Sequence, residues 1–485
     1  MKNSDWAGNS PQDDDTSGRP IVVDLDGTLV RSDLLIESFL ALLGAQPFKA
    51  LAALKTLRQG KANFKSRLAD EAVVEIETLP FNEDVLVFLK AEHARGRPIY
   101  IASASDRRYV EALAGHLGFF TGVFGSENGL NLAGEVKAQR LCEAFGEKGF
   151  DYIGDAAIDE AVWRRAHSVY IANADPRHLA EVRAWAPEAS ALGMRKSHWH
   201  EYVRAIRVHQ WLKNLLVFVP ALAAHELGPG LGACILAFLS FSLCASSVYI
   251  LNDLLDLRND RAHARKKERP FAAGRIPLLR GALLFPVLLG LSFLIALFLP
   301  WKFLGVLAAY YALTCAYSFT LKRKMLVDVV ALACLYGTRL WAGAAAVGLA
   351  ISPWLMAFAI FIFLCLALVK RCSELIDRMS KGRGDPVGRG YRLSDLPALQ
   401  SMAAAAGYVS VLVLALYFNS DVVVPLYAHP NWLWVICVLL LFWISRVLLL
   451  THRGEMHDDP VVFAATDRIS QMTAVACGLV IFVSQ

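Results

Sequence analysis

The distribution of apolar and charged residues divides the chain into two parts. Residues 1–200 carry charged side chains throughout, as in a water-soluble domain. From about Trp211 onward, apolar runs of roughly 20 residues follow one another, which is the length needed to cross a bilayer. The pattern predicts a soluble domain followed by an all-α polytopic membrane domain. Its nine candidate spans lie near 211–228, 231–252, 279–299, 302–320, 326–347, 353–371, 399–418, 431–450 and 462–483.

The same pattern sets the expected domain boundaries. Residues 1–18 are polar and acidic, which predicts a disordered tail without an apolar signal segment. We expect the soluble domain to span residues 19–195 and the membrane domain to span residues 196–485. The membrane domain opens with His198 to His209, whose aromatic and basic residues are typical of an amphipathic helix lying at a membrane surface.

Composition supports a membrane protein with free thiols. Hydrophobic residues make up 55% of the chain, and the mean hydropathy of +0.41 is too apolar for an ordinary soluble protein. The net charge of +5 is modest, and its excess lies in a few loops of the second half. We interpret these loops as facing membrane and phosphate groups, which argues against a nucleic-acid partner. Nine cysteines without metal-ligand spacing indicate free thiols in a reducing compartment.

Charge in the loops predicts the orientation of the spans. Most Lys and Arg of the membrane domain follow the second, fourth, sixth and eighth predicted spans, and the other loops are nearly free of them. Cytoplasmic loops carry this excess in membrane proteins. We therefore expect a multi-pass protein of the inner membrane, with its soluble domain and all candidate sites on the cytoplasmic side.

An acidic stretch marks the end of the second predicted span. It reads NDLLDLRND, from Asn252 to Asp260. On a helix, Asp253, Asp256 and Asp260 fall at i, i+3 and i+7 and point to one side. Three such carboxylates repel one another unless a cation joins them, and Mg²⁺ prefers oxygen ligands and is often shared with substrate phosphates. The alternative is a solvated helix end with scattered charges.

A second pair of carboxylates follows a short strand in the soluble domain. The apolar run Ile21 to Val23 predicts a buried strand, and it leads into Asp24-Leu25-Asp26-Gly27-Thr28. Asp24 is placed to act as a nucleophile that forms an aspartyl-phosphate. Asp26, two residues further on, reaches the same centre as a general acid and base.

This stretch resembles the first motif of the haloacid-dehalogenase (HAD) phosphatases, and three further motifs follow in the order of that superfamily. The resemblance implies an α/β Rossmann-like fold with a small helical cap over residues 32–95. It implies that Ser103 and Lys137 bind phosphate. It also implies that Asp155, in a GDxxxD pattern with Asp159, holds Mg²⁺ together with Asp24 and Asp26. The alternative is a degenerate domain kept as a scaffold.

The membrane half resembles the UbiA superfamily of intramembrane prenyltransferases, whose first motif is NDxxDxxxD. The match is complete at Asn252, Asp253, Asp256 and Asp260. The superfamily's second motif is a DxxxD pair, and this chain has only Asp328 there. Stretches between about 205 and 380, among them RVHQWLKNLLVFVPALAA and SSVYILNDLLD, are similar to the decaprenyl-phosphate phosphoribosyltransferase branch. That branch implies phosphoribosyl diphosphate as donor and a polyprenyl phosphate as acceptor.

The implied reaction needs a metal and cationic groups at the leaving diphosphate. Asp253, Asp256, Asp260 and Asp328 are the candidate metal ligands here, so that each domain would hold one Mg²⁺. Cations at the ends of spans, Arg323 and Arg371 included, either bind phosphates or anchor the helices by snorkelling. Arg339 lies in the middle of a predicted span, where a charge is costly to bury without a partner, and this position favours a functional role. The expected substrate-binding residues of this half are Lys213, Tyr249, Asn252, Tyr317, Lys322, Arg339 and Lys370.

Tyr249, from this set, and Glu374, outside it, each have two interpretations. Tyr249 either contacts the donor or is an interfacial aromatic, and Glu374 either orients a ribose hydroxyl or pairs with Arg371.

Three functions compete at this point. The first is a bifunctional enzyme that transfers phosphoribose to a polyprenyl phosphate and removes a phosphate through its HAD domain. The second is a prenyltransferase that moves a prenyl group from its diphosphate to an aromatic or other small acceptor. The third is non-enzymatic, with the HAD domain as a regulatory or folding module. In every case the sequence leaves the oligomeric state open.

Overall fold

A computed structural model describes residues 18–127, 129–194, 199–263, 265–382, 384–385, 390–421, 423–456 and 459–485. The predicted tail, except for its last residue, lies outside the described residues. The chain folds into two compact units. The first comprises the described residues up to Ala205 together with Ile250–Leu283, and the second comprises Ile206–Tyr249 and Leu284–Gln485. The unit containing the soluble domain therefore also contains the predicted acidic motif and the basic loop that follows it.

A six-stranded parallel sheet forms the centre of the first unit, in the order β3-β2-β1-β4-β5-β6. Strand β1 is fully buried, and its Ile21 lies in register with Ile99 of β2 and Asp151 of β4. This order makes the carboxyl end of β1 a switch point, where α/β proteins bind ligands. The predicted Rossmann-like fold is confirmed. The strands are β1 Ile21–Val23, β2 Ile99–Asp106, β3 Gly122–Ser126, β4 Asp151–Gly154, β5 Val169–Ala174 and β6 Ser190–Met194.

Helices of this unit either flank the sheet or form a separate cap. The cap has its own small core, in which Leu42, Phe64 and Leu68 are buried. Val85 and Leu89 pack instead with the apolar side chains of the sheet, so the expected cap of residues 32–95 is too long by its last helix. The helices are α1 Leu34–Ala45, α2 Pro47–Ala53, α3 Lys61–Glu71, α4 Glu83–Ala94, α5 Arg107–Leu117, α6 Glu135–Phe145, α7 Glu160–Trp163, α8 Pro176–Arg183 and α9 Trp199–Ile206.

A buried ion pair joins the cap to the segment Ile250–Leu283. Glu37 on α1 accepts hydrogen bonds from both terminal nitrogens of Arg261, at 2.6 and 3.2 Å. Both side chains are almost fully shielded from water, and the Ser32 hydroxyl adds a third hydrogen bond to Glu37, at 2.6 Å. The contact places the segment after the acidic motif directly against the cap.

Removing one partner of this pair should destabilise the unit strongly. Glu37→Gln is expected to cost about 3–5 kcal/mol, because the Arg261 charge stays buried without compensation. Thermal unfolding of the full-length chain, followed by circular dichroism, measures the loss. Glu111→Gln is the matched control, since Glu111 forms an ion pair with Arg107 in which both side chains are exposed, worth at most about 1 kcal/mol. Equal losses for the two variants would contradict the expectation.

The helices of the membrane domain give fewer spans than the nine predicted. Among the described residues, six helices are long and apolar enough to cross a membrane, or up to seven if the bent pair α19–α20 is one span. The helices are α10 Val219–Ala223, α11 Leu227–Leu255, α12 Leu257–Arg261, α13 Leu278–Ala296, α14 Trp301–Phe319, α15 Val327–Val347, α16 Pro353–Ser380, α17 Leu396–Phe418, α18 Trp434–His452, α19 Pro460–Thr466 and α20 Arg468–Ser484.

Three predicted spans account for the difference. Residues 211–228 form a 3-10 helix, Val208–Phe218, and the short α10 instead of one long helix. Helix α14 has the length of a span, but Lys302 and three tyrosines make it less apolar. The predicted span 462–483 is broken between α19 and α20 by a bend of 76°. The long apolar helices nevertheless make this an integral, multi-pass membrane protein.

Candidate active sites

Lys137 lies at the centre of a buried group of polar side chains near the carboxyl end of β1. Helix α6 carries it, and its ammonium donates to Asp24 Oδ1 at 2.6 Å and to the Tyr152 hydroxyl at 2.9 Å. The Tyr152 hydroxyl in turn donates to Asp159 Oδ1 at 2.8 Å. Lys137 Nζ is also 3.6 Å from Asp159, so one ammonium faces two carboxylates. The structure therefore brings the predicted Lys137 and Asp24 together.

Asp26 is oriented by three hydrogen bonds from neighbouring segments. Its Oδ2 accepts from the hydroxyls of Ser105, at 2.6 Å, and Ser103, at 3.2 Å. Its Oδ1 accepts from the backbone amide of Leu34 at 2.8 Å. Ser103, expected to bind phosphate, thus contacts the predicted general acid. Ser105 was missed by sequence reasoning, although its position two residues after Ser103 places both on one face of β2.

Three carboxylates near the end of β1 are arranged to hold a metal ion. Asp24, Asp155 and Asp159 each offer one oxygen, and these oxygens lie within 4.8 Å of one another. Gly27 makes the close approach possible: its φ is +82°, and a Cβ there would come within 2.5 Å of Asp155 Oδ2. Oxygen ligands of this kind suit Mg²⁺. Asp159 joins the predicted Asp24 and Asp155 in this set, and the metal-binding role expected of Asp26, whose carboxylate accepts from Ser103 and Ser105, stays a prediction.

Burial changes the acidity of the groups in this site. Burial raises the pKa of Asp24 well above its usual value, and the adjacent Lys137 only partly offsets the effect. Burial would lower the pKa of Lys137, but Asp24 and Asp159 outweigh it and raise that pKa. Lys137 therefore stays charged at neutral pH. A cation added beside Asp24 would favour its ionised form.

The acidic stretch in Ile250–Leu283 does not form a continuous helix. Helix α11 ends at Leu255 and α12 begins at Leu257, so the predicted spacing along one helix is interrupted at Asp256. Asp253 and Asp260 still converge, because Arg269 Nη1 lies 3.1 Å from the Asp253 carboxylate and 2.6 Å from that of Asp260. A cation does join two of the three carboxylates, and it is a guanidinium of the same chain.

The acidic stretch from Asn252 to Asp260 fits a metal ion only in part. Among the described residues, only Asp24, Asp155 and Asp159 meet the geometry of a preformed cluster. Asp253 and Asp260 are both buried and already share one positive charge, which shows that their carboxylates can be bridged by a cation. Burial raises the pKa of Asp260, and Arg269 opposes that rise. Asp256 and Asn252 are half-buried at the break between the helices.

Asp328 forms a closed network in the second unit. It is fully buried, and Arg371 Nε donates to its Oδ2 at 2.6 Å. The Tyr391 hydroxyl donates to its other oxygen, while Arg371 also donates to Glu374 at 2.7 Å and to the Tyr317 hydroxyl at 3.1 Å. Of the two interpretations of Glu374, pairing with Arg371 is confirmed. The Asp328 carboxylate pairs with Arg371, and its expected part in a metal site stays a prediction.

Two further cations of the second unit are held in different ways. Arg339 donates to Asn214 at 2.8 Å and to the Tyr310 hydroxyl at 3.3 Å, and among the described residues no carboxylate lies within ion-pair distance of it. Lys213, by contrast, forms an ion pair with Asp459. Asp459 was missed by sequence reasoning, since it lies in a loop that was interpreted only as an indicator of topology.

The remaining predicted residues of this unit lie nearer its surface or at ring contacts. Tyr249 is half-buried, and the Arg207 guanidinium lies 5.0 Å from its ring centre. Lys322 and Lys370 are half-buried, and Arg323 is exposed. None of these positions assigns a substrate contact, so their roles stay predictions.

The two units together define a class of protein. A parallel sheet with carboxylates at its switch point is joined to a multi-pass helical domain that carries acidic residues where a span ends. This is a membrane-embedded transferase with a hydrolase-like soluble domain. The chain belongs to the UbiA prenyltransferase family, which it matches over residues 215–472. Its N-terminal domain is a haloacid dehalogenase-like hydrolase domain, matched over residues 21–174.

Similar proteins cover different parts of the chain. The "Uncharacterized protein y4nM" of Sinorhizobium fredii is 37% identical over 93% of this chain and 88% of its own length. The "Nodulation protein NoeC" of Azorhizobium caulinodans is 35% identical over 58% of this chain and 92% of its own length. A decaprenyl-phosphate phosphoribosyltransferase of Mycolicibacterium smegmatis is 35% identical over 36% of this chain and 56% of its own length.

Among solved structures, a UbiA homolog from Archaeoglobus fulgidus bound to GPP and Mg²⁺ is similar to 58% of this chain and 96% of its own chain. It is 19% identical, with a TM-score of 0.43.

Proposed function

We propose that the chain is a bifunctional enzyme. Its membrane domain transfers phosphoribose from phosphoribosyl diphosphate to a polyprenyl phosphate, and its HAD domain hydrolyses a phosphate ester, with the 5-phosphate of the product as the first candidate. In the transfer, an oxygen of the acceptor phosphate forms a bond to C1 of the ribose. The bond from C1 to the diphosphate breaks, and diphosphate leaves with the electron pair.

The pairing of Asp328 supports phosphoribosyl diphosphate, rather than a prenyl diphosphate, as the donor. A second acidic pair is the usual plan of the UbiA superfamily, and here a single Asp328 stands in its place. Its charge is already compensated by Arg371, and its other oxygen is bonded to Tyr391. The similarity to a decaprenyl-phosphate phosphoribosyltransferase points the same way.

Residues of the acidic stretch are proposed to hold Mg²⁺. Asp253 and Asp260 already share a cation, and Asp256 is the third candidate ligand. Bound there, Mg²⁺ would neutralise charge on the leaving diphosphate. Arg269 would then be available to pair with donor phosphates. Arg339, which is buried with only neutral partners among the described residues, suits an anionic substrate group, because a bound anion would compensate its charge.

The HAD domain is proposed to act through Asp24 and Asp26. Asp24 attacks the phosphorus, and the bond to the leaving oxygen breaks while Asp26 donates its proton to that oxygen. Asp26 then takes a proton from the water that hydrolyses the aspartyl-phosphate. Lys137 neutralises charge beside Asp24. Asp24 and Asp155 would hold Mg²⁺ with Asp159 beside them, and the ion would stabilise the phosphate charge.

A labelled-donor experiment tests the transfer. Full-length protein in detergent is given polyprenyl phosphate with radiolabelled phosphoribosyl diphosphate, or an aromatic acceptor with radiolabelled prenyl diphosphate. We expect label from the first donor in the lipid fraction, dependent on Mg²⁺ and absent in Asp253→Ala. Lipid-soluble product from the second donor alone would contradict the proposal and favour a prenyltransferase. Consumption of neither donor would favour a non-enzymatic role.

A further inference from the structure

An exposed apolar ridge runs along the cap. It consists of Phe48 and Leu51 on α2 and Leu54 and Leu57 on the 3-10 helix Leu54–Gln59. Their exposed fractions are 87%, 55%, 38% and 43%. The spacing of three residues keeps them on neighbouring turns. Ala50 and Ala53 on the same stretch are buried in the cap core, so the larger apolar side chains point away from the protein.

Positive charge surrounds the ridge. The stretch from Gln46 to Ala69 contains six Lys and Arg but no Asp or Glu, although the whole chain is nearly balanced, with 49 basic and 44 acidic residues. Five of these cations are exposed, namely Lys49, Lys55, Arg58, Lys61 and Arg67, and Arg67 forms an ion pair with Glu71. An apolar ridge with basic neighbours is the pattern of segments that lie in the headgroup region of anionic membranes.

The ridge begins close to the end of a membrane span. A Cβ on Gly44, in the last turn of α1, would lie 3.3 Å from the backbone oxygen of Leu255. Leu255 is the last residue of α11, one of the candidate spans, and α2 begins only three residues after Gly44. Glu75, just beyond the cap helices, forms an ion pair with Arg258 on α12. All these residues belong to the first unit.

We propose that Pro47–Gln59 is a membrane-contact element of the cap. Phe48 and Leu51 lie among the upper acyl chains of the leaflet in which α11 ends. Lys49, Lys55 and Arg58 bind the phosphates of anionic phospholipids. The inference concerns a surface outside both candidate active sites, and it holds whether or not either proposed reaction occurs.

This contact has a consequence for the phosphatase site. The cap's α1 begins at Leu34, whose amide binds the Asp26 carboxylate. A cap held in the headgroup layer keeps Asp26 close to the bilayer surface. The site is then suited to phosphate esters carried on lipids.

Immersion of a spin label tests the contact directly. Full-length Leu51→Cys, labelled with a nitroxide, is placed in nanodiscs of equal parts phosphatidylcholine and phosphatidylglycerol. Val87→Cys is the matched control, since Val87 is an exposed apolar residue of the same unit, on α4. We expect the label at 51 to collide several-fold more with oxygen than with a water-soluble nickel chelate. We expect the reverse at 87. Unsubstituted protein, labelled in parallel, supplies the native-cysteine background.

Charge reversal tests the lipid headgroups. Lys49→Glu with Lys55→Glu, in the labelled Leu51→Cys chain, should return the oxygen-to-nickel ratio to the value at 87. Lys90→Glu on α4 should leave it unchanged. Far-ultraviolet circular dichroism and gel filtration establish that each variant is folded.

Three results would overturn the proposal. The first is a label at 51 as accessible to nickel as the label at 87. The second is a label shielded from both reagents, which would mean that protein covers the ridge. The third is equal immersion in discs of phosphatidylcholine alone, which would remove the role of anionic headgroups.

Discussion

Asp24→Asn should abolish phosphate release by the full-length chain. The amide cannot attack phosphorus, and loss of a nucleophile commonly costs a thousandfold or more, on the order of 10³–10⁶ in kcat. The measurement is release of inorganic phosphate from a small phosphomonoester, in detergent with Mg²⁺. Asp26→Asn should lose roughly 10²–10⁴-fold, because it removes only proton transfer.

A matched substitution and a second activity complete this experiment. Asp84→Asn is the control, since Asp84 is an exposed carboxylate on α4 of the same unit, and it should keep full activity. Consumption of the labelled sugar donor by Asp24→Asn should be unchanged, because the transferase residues are untouched. Undiminished phosphate release by Asp24→Asn would mean that the domain is a scaffold and that another group performs the hydrolysis.

Asp253→Asn should strongly reduce transfer from the diphosphate donor. The substitution removes one of the two charges that converge on Arg269 and, by the proposal, one ligand of the metal that binds the leaving diphosphate. A loss of about 10²–10³-fold is expected, as for other groups that stabilise developing charge. Transfer of radiolabel into the lipid fraction measures it.

Metal dependence separates this role from a structural one. Asp260→Asn should raise the Mg²⁺ concentration needed for half-maximal transfer, since a ligand is lost while the other carboxylates remain. Asp377→Asn is the control, because Asp377 lies exposed on α16 in an ion pair with Lys381, and its Mg²⁺ dependence should equal that of the native chain. An unchanged Mg²⁺ dependence in Asp260→Asn would show that Asp260 serves only to hold Arg269.

Local patterns predicted the soluble fold well. The strand Ile21–Val23 and the positions of Asp24, Asp26 and Lys137 are encoded within short stretches, because a buried apolar run followed by a turn needs little long-range information. The extent of the cap was harder to predict. Helix α4 has the same helical spacing as α1, and only its packing against the sheet separates it from the cap.

Long-range pairs could not be predicted from spacing. Nothing near Asp328 in the sequence indicates that Arg371 and Tyr391 bind it, and nothing near Lys213 indicates Asp459. The interruption at Asp256 also depends on tertiary contacts, because the stretch has no proline or glycine that would stop a helix. The predicted number of spans was wrong for two reasons that act at different places. Tyrosines make α14 less apolar, and a bend divides α19 from α20.

The pair Glu37–Arg261 has a consequence for how the protein is made. Its members are 224 residues apart, so at about 5–20 residues per second the ribosome needs roughly 10–45 s between them. The N-terminal domain thus emerges before the partner of its buried carboxylate exists. Its final assembly must await membrane insertion of α11 and synthesis of the loop beyond it, which makes biogenesis of the soluble domain dependent on the translocation machinery.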